Sequence, residues 1–147
     1  MIYLTDTNVL LRVLHRTDPR HPIAQAAVRK LLSNGHQLQA TTQNFIEFWN
    51  VSTRPIHQNG MGLTPLGAIR PLRRAEQFFP LLPDFPAVYA KWRELVVNYG
   101  VSGVQVHDAR LVATMIVHGV THILTFNTSD FTRYTPIGII AVDPATV

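Results

Sequence analysis

The chain has 147 residues, the length of one domain, and 46% of them are apolar while 15% are charged. This composition excludes an intrinsically disordered chain, which would carry fewer apolar side chains and more charge. The absence of cysteine excludes a disulfide scaffold, a zinc–thiolate site and a cysteine nucleophile. We expect a cytoplasmic protein without a membrane partner, because no apolar run reaches 18 residues and the N-terminus lacks a secretory signal.

The charge balance is basic. Thirteen Lys plus Arg residues against nine Asp plus Glu residues give a net charge of +4. A basic surface of this size is compatible with a polyanionic partner, and equally with a solvated face that binds nothing. Charge alone therefore leaves both interpretations open.

Apolar strands alternate with amphipathic helices along most of the chain. Strands are predicted at residues 2–5, 38–41 and 121–126 and within 136–142, and helices at about 7–14, 21–32, 42–54, 87–99 and 105–118. This alternation indicates an α/β fold with a central, mainly parallel sheet flanked by helices. Ligands of such sheets bind beyond the carboxyl ends of the strands, so the residues that follow strands are candidate site residues.

The composition changes between residues 54 and 86, where six of the ten prolines and three of the eight glycines lie. Thr64 and Pro65 are typical of a helix start, whereas Pro71 should kink the helix or split it in two. Thirty-three residues cannot form a core of their own. We therefore predict a single domain over residues 1–147, with a Pro/Gly-rich helical excursion at about 54–86.

Four acidic residues lie at positions where they can converge. Asp6 follows the first strand and Asp130 follows the strand at 121–126, while Asp108 lies in the first turn of a helix. Taken singly, these three residues fit cap or turn roles. Glu47 lies within the most apolar helix, where an ionised carboxylate needs a cation, a proton or an arginine at the helix edge.

Together the four acids predict a metal site at the carboxyl edge of the sheet. Carboxylates gathered within one pocket repel each other unless a cation intervenes. Oxygen ligands favour Mg²⁺ or Mn²⁺, and one or two such ions can catalyse the displacement of a phosphodiester. A basic surface around such an acidic centre is what a polyanionic substrate requires.

Four segments carrying these acids resemble the motifs of the PIN-domain ribonucleases, and among them the VapC-type toxins. Asp6-Thr7-Asn8 resembles the opening motif of the family, and Gln43-Asn44-Phe45-Ile46-Glu47-Phe48 is similar to its second. His107-Asp108-Ala109 resembles the third motif of the family, and the segment 125–131 resembles the fourth. All four occur in order and cover nearly the whole chain.

The resemblance implies a three-layer PIN fold and a metal-dependent ribonuclease that hydrolyses RNA phosphodiester bonds as the toxin of a type II toxin–antitoxin pair. It also implies a small antitoxin partner and a homodimer. The catalytic and Mg²⁺- or Mn²⁺-binding residues would be Asp6, Glu47, Asp108 and Asp130. The residues that orient these carboxylates or contact substrate would be Thr5, Thr7, Asn8, Asn44, Thr125 and Asn127.

The fourth motif contains two oxygen ligands, Asn127 and Asp130, and either can be the residue next to the metal. We favour Asp130, because a full negative charge binds a cation more strongly, and assign Asn127 a supporting role.

Two other functions remain compatible with the sequence. A PIN-like domain can keep its fold and act as a catalytically silent RNA-binding or assembly module. A haloacid-dehalogenase-like phosphatase also has an aspartate after its first strand. That chemistry usually requires a second acid two residues further on, and position 8 is asparagine in this chain.

Overall fold

The structure is a computed structural model that describes all 147 residues. The strands are β1 (Ile2–Thr5), β2 (Gln37–Thr41), β3 (Leu81–Leu82), β4 (His122–Leu124) and β5 (Ile140–Val142). The helices are α1 (Thr7–Leu14), α2 (His21–Ser33), α3 (Thr42–Thr53), α4 (Pro65–Phe78), α5 (Pro86–Asn98) and α6 (Val106–His118). Short 3₁₀ turns complete the chain, and the longest covers Thr128–Ile137. No helix is long and apolar enough to cross a membrane.

The five strands form one sheet in the order β3-β2-β1-β4-β5, and every neighbouring pair is parallel. The central strand β1 pairs with β2 through Tyr3 and Leu38, and with β4 through Tyr3 and His122. Helices cover both faces of this sheet. The predicted PIN-like, three-layer α/β fold is therefore confirmed.

Each face of the sheet has its own hydrophobic core, because successive side chains of a strand point to opposite faces. Leu4 packs in a cluster with residues of α5 and α6, whereas its neighbour Tyr3 packs in a cluster with residues of α1 to α4. In β4 the same alternation sends Ile123 to the first cluster and Leu124 to the second. The near-continuous apolar strands of the sequence are thus buried on both faces.

Two features of the proline-rich segment differ from the sequence prediction. β3 was not predicted from the sequence. It forms the edge of the sheet, where the flanking Pro80 and Pro83 are tolerated because an edge strand pairs on one side only. α4 runs without interruption through Pro71, so of the predicted kink or split the split is wrong. Packing accounts for this continuity, since Ala68 and Ala75 of α4 are fully buried on either side of the proline.

The parallel arrangement brings the ends of three strands to one edge of the sheet. β1 ends directly before Asp6, β2 ends at Thr41 directly before α3, and β4 ends directly before Thr125. Thr41 caps α3 through a hydrogen bond with Asn44, which fixes the direction in which the helix leaves the sheet. Three elements that carry candidate site residues therefore begin side by side.

The packing of α3 gives a test of the core that faces α1 to α4. Phe48 is fully buried, whereas its neighbour Ile46 is 63% exposed on the same helix. We expect Phe48→Ala to lower the free energy of unfolding by about 3–5 kcal/mol, because it leaves a cavity that the core cannot close. Ile46→Ala, the control, should change it by less than about 0.5 kcal/mol. Urea unfolding followed by circular dichroism measures both, and equal effects would contradict the described packing.

Candidate active site

The four predicted acids line one open cleft of about 350 Å³ at the carboxyl edge of the sheet. Asp6 follows β1, Glu47 lies on α3, Asp108 lies in the first turn of α6 and Asp130 lies beyond β4. Of the six residues predicted to support them, three also line the cleft, namely Thr7, Asn8 and Asn127. The structure thus brings together residues that are up to 124 positions apart in the sequence.

Asp6 is the most tightly held of the acids. Its side chain is only 8% exposed and accepts hydrogen bonds from the backbone N–H of Thr7, from Asn8 Nδ2 and from Thr125 Oγ1, each of 2.7 Å. It also caps the N-terminus of α1. The helix-cap interpretation and the site interpretation of Asp6 are therefore compatible, since the residue that caps α1 also lines the cleft.

Asn8 and Thr125 tie α1 to the end of β4. Asn8 Nδ2 donates to Thr125 Oγ1 at 3.1 Å, and Asn8 Oδ1 accepts the backbone N–H of Phe126 at the same distance. Thr125 Oγ1 also accepts the backbone N–H of Asn127. The predicted orienting role matches these contacts for Asn8 and Thr125, but not for Thr5, whose buried hydroxyl has no hydrogen-bond partner.

Both carboxylate oxygens of Glu47 are hydrogen-bonded. Oε2 accepts from Thr7 Oγ1 at 2.7 Å, and Oε1 accepts from Gln43 Nε2 at 2.9 Å. Asn44 Nδ2 in turn donates to Thr7 Oγ1 at 3.1 Å. Asn44 is fully buried, and its amide is engaged in the cap of α3 and in holding Thr7, contacts that fit the orienting part of its predicted role.

Gln43 and Arg110 belong to this network, although neither was predicted as a site residue. Gln43 Nε2 donates both to Glu47 Oε1 and to the backbone carbonyl of His107, and Gln43 Oε1 accepts from Arg110 Nη1 at 3.2 Å. The amide thereby joins α3 to the residue that precedes Asp108. The four-residue spacing between Gln43 and Glu47 on one helix was the available signal, since such residues are neighbours on a helix face.

Asp108, Asp130 and Asn127 make no side-chain hydrogen bonds within the chain, in contrast to Asp6 and Glu47. Asp108 is half-buried, while Asn127 and Asp130 are exposed at the mouth of the cleft. Two acids of the cleft are thus fixed by the protein, and two are free to adjust to a ligand.

Burial, with the charges of neighbouring acids, raises the pKa values of Asp6 and Asp108. Burial is the main cause that raises the pKa of Asp6 to about 6, with the charges of Glu47 and Asp130 adding to it against two hydrogen bonds that lower it. Burial also raises the pKa of Asp108 to about 7, helped by the charges of Asp6, Asp130 and Glu47 and opposed by Arg133. Both shifts mean that the cleft disfavours the negative charge of its own acids.

The donor set fits a hard divalent cation in kind, because four carboxylates and the Asn127 carbonyl supply only oxygen. No three acidic or histidine side chains already stand in an arrangement that holds a metal ion. Cation binding would therefore require movement of side chains, and Asp108 and Asp130 are the ones without hydrogen bonds to break.

A PIN-domain family model matches residues 3–135, so the chain belongs to the PIN-domain family. No curated protein matches it in sequence.

Several solved structures have the same fold at low sequence identity. FitAcB from Neisseria gonorrhoeae is 20% identical, with a TM-score of 0.68 and all of both chains covered. A toxin–antitoxin complex from Klebsiella pneumoniae is 22% identical, with a TM-score of 0.63 and 97% of both chains covered. VapC20 from Mycobacterium tuberculosis, a sarcin–ricin loop cleaving toxin, is 16% identical, with a TM-score of 0.62 and 97% of this chain and 98% of that chain covered.

The raised pKa values predict how stability depends on pH when EDTA removes divalent cations. Asp6 and Asp108 keep their protons to a higher pH in the folded chain than in the unfolded chain, where the pKa is near 3.8. The free energy of unfolding should therefore fall as pH rises from about 4 to 7, because both carboxyl groups lose their protons in the folded chain over this range. Asp108→Asn should be as stable as the wild type near pH 4 and about 1–2 kcal/mol more stable at pH 7, an amount reduced by solvent screening of a half-exposed group.

Urea unfolding across this pH range measures the difference between variant and wild type. Glu76→Gln serves as the control, because it removes an exposed carboxylate of α4 that does not line the cleft. A stability difference for Asp108→Asn that does not change between pH 4 and 7 would contradict the described coupling of the acids.

Proposed function

We propose that the protein is a metal-dependent ribonuclease and the toxin component of a type II toxin–antitoxin pair. The observation that carries this proposal is the cleft in which Asp6, Glu47, Asp108 and Asp130 meet, with the pKa values of Asp6 and Asp108 raised. A PIN domain with four acids at this edge is suited to bind Mg²⁺ or Mn²⁺. The fold shared with VapC20, a sarcin–ricin loop cleaving toxin, supports the choice of RNA.

A bound divalent ion would supply Lewis acidity toward a phosphodiester and would lower the pKa of water. The chain supplies the rest of the chemistry. Asp6 and Glu47 present carboxylates whose positions are fixed by hydrogen bonds, and this rigidity lowers the cost of organising the site. Asp108 and Asp130, whose side chains make no hydrogen bonds within the chain, would complete the set of residues that holds the ion. Asp130 is preferred to Asn127 as the fourth ligand, because its charge acts on both Asp6 and Asp108.

An antitoxin partner is supported by a second surface. A groove of about 200 Å³ between α1, α2 and α4 has an apolar floor and three arginines at its rim, Arg16, Arg29 and Arg74, and no acidic residue lines it. Such a groove suits an acidic segment with apolar anchors. One chain of a toxin–antitoxin complex from Klebsiella pneumoniae also has this fold. A homodimer remains a prediction from the family resemblance, and light scattering of the purified chain tests it.

Cleavage of a mixed RNA pool by the purified chain tests the proposed activity. With Mg²⁺ or Mn²⁺ we expect cleavage, and EDTA should abolish it. Asp108→Asn should lower the rate by more than about a hundredfold, beyond the loss typical of residues that only support a metal ligand. The physical reason is that the variant removes a charge from the set that holds the cation.

The control for this experiment is Glu76→Gln, which should cut RNA like the wild type, because Glu76 lies outside the cleft. A chain that binds RNA at the same affinity with and without metal and never cuts it would overturn the ribonuclease and favour a silent RNA-binding module. Cleavage that survives both EDTA and Asp108→Asn would overturn the metal site.

A further inference from the structure

Arg54 is the only positively charged residue among those that line the acidic cleft. It follows α3 directly and ends that helix, with its backbone N–H bonded to the carbonyl of Asn50. Glu47, Asn50 and Val51 of the same helix also line the cleft. Arg54 thus lines the same cavity as the four acids.

Despite this location, Arg54 forms no ion pair with any acid. Its Nη2 donates to the backbone carbonyl of Asn59 at 3.1 Å, its Nη1 makes no hydrogen bond within the chain, and its Nε is buried without a partner. Buried donors are nearly always satisfied in folded proteins, so this one requires an explanation. An arginine in an acidic cleft would be expected to pair with a carboxylate, and Arg54 is held away from doing so.

The loop that follows α3 fixes Arg54 in this position. The backbone N–H of Gly62 donates to the carbonyl of Arg54 at 2.9 Å, and that of Gly60 donates to the carbonyl of Pro55 at 3.0 Å. A Cβ at Gly60 would lie 1.9 Å from the Arg54 carbonyl oxygen, so only glycine allows this approach. The loop therefore folds back on the helix end and holds the arginine at the cleft without neutralising it.

We propose that Arg54 binds a phosphate group of the RNA backbone at the mouth of the acidic cleft. Nη2 of Arg54 is bonded to the Asn59 carbonyl, whereas Nη1 makes no hydrogen bond within the chain and is the donor left for a phosphate oxygen. Because Arg54 stays apart from the acids, its charge remains available to an anion while theirs remain available to a cation. Arg54 then attracts a polyanion that the carboxylates would otherwise repel. This inference rests on the proposed ribonuclease function.

Steady-state cleavage of one RNA oligonucleotide, measured over a range of salt concentrations, tests the assignment. The substrate is a single-stranded RNA that contains a site cut by the wild type. Arg54→Gln should raise KM about tenfold to a hundredfold, the loss expected for a hydrogen bond to a charged group. The slope of log KM against log salt concentration should become shallower by about 0.7, which corresponds to the loss of one phosphate contact on a single strand.

Two further variants keep the test specific. Arg54→Lys retains the charge, so its salt slope should equal that of the wild type while KM rises less than in Arg54→Gln. Arg93→Gln removes an exposed arginine of α5 that does not line the cleft, and its KM and slope should stay unchanged. Thermal unfolding of each variant identifies any general loss of fold.

The outcomes separate this inference from the function on which it rests. If the wild type does not cut RNA under any metal condition, the proposed function fails and this inference fails with it. If the wild type cuts RNA and Arg54→Gln keeps the wild-type KM and salt slope, the phosphate assignment is overturned while the ribonuclease stands. A lower melting temperature with an unchanged slope would mean that Arg54 only holds the loop.

Discussion

The buried carboxylate of Asp6 is the constraint around which this edge of the molecule is organised. An ionised group with 8% exposure is tolerable only when its oxygens are hydrogen-bonded, and three donors from α1 and from the residue after β4 meet that need. Satisfying Asp6 therefore fixes the start of α1 against the end of β4. The hydrogen bonds that join α1 to the end of β4 also fix the position of one carboxylate of the cleft.

A second chain of hydrogen bonds extends this order to the other helices. Thr7 links Glu47 and Asn44 of α3, and Gln43 links Glu47 to the start of α6. Burial and the charges of the neighbouring acids raise the pKa values of Asp6 and Asp108, so holding these two groups ionised in the cleft costs stability. Raised carboxylate pKa values of this kind are typical of functional sites rather than of surface charges. A bound cation would offset the repulsion between the acids of the cleft.

Much of the fold was predictable, because apolar periodicity marks the buried strands and their helices clearly. The carboxyl-edge rule likewise identified Asp6, Glu47, Asp108 and Asp130 as neighbours. What the sequence could not reveal depends on tertiary context. The two-residue strand β3 exists only as a partner for β2, and α4 continues through Pro71 only because it is packed. The links made by Gln43 and Arg110, and the full burial of Asn44, follow from side-chain directions that one sequence does not record.

If the acids of the cleft share one cation site, calorimetric titration of Mn²⁺ into the metal-free chain near pH 6.5 will detect it. Because Asp6 and Asp108 have pKa values of about 6 and about 7, both are partly protonated at this pH. Cation binding should therefore release protons, seen as a heat that changes with the ionisation enthalpy of the buffer, and Asp108→Asn should weaken binding and reduce the release. Binding that is absent, or that is independent of buffer and unaffected by Asp108→Asn, would contradict the account.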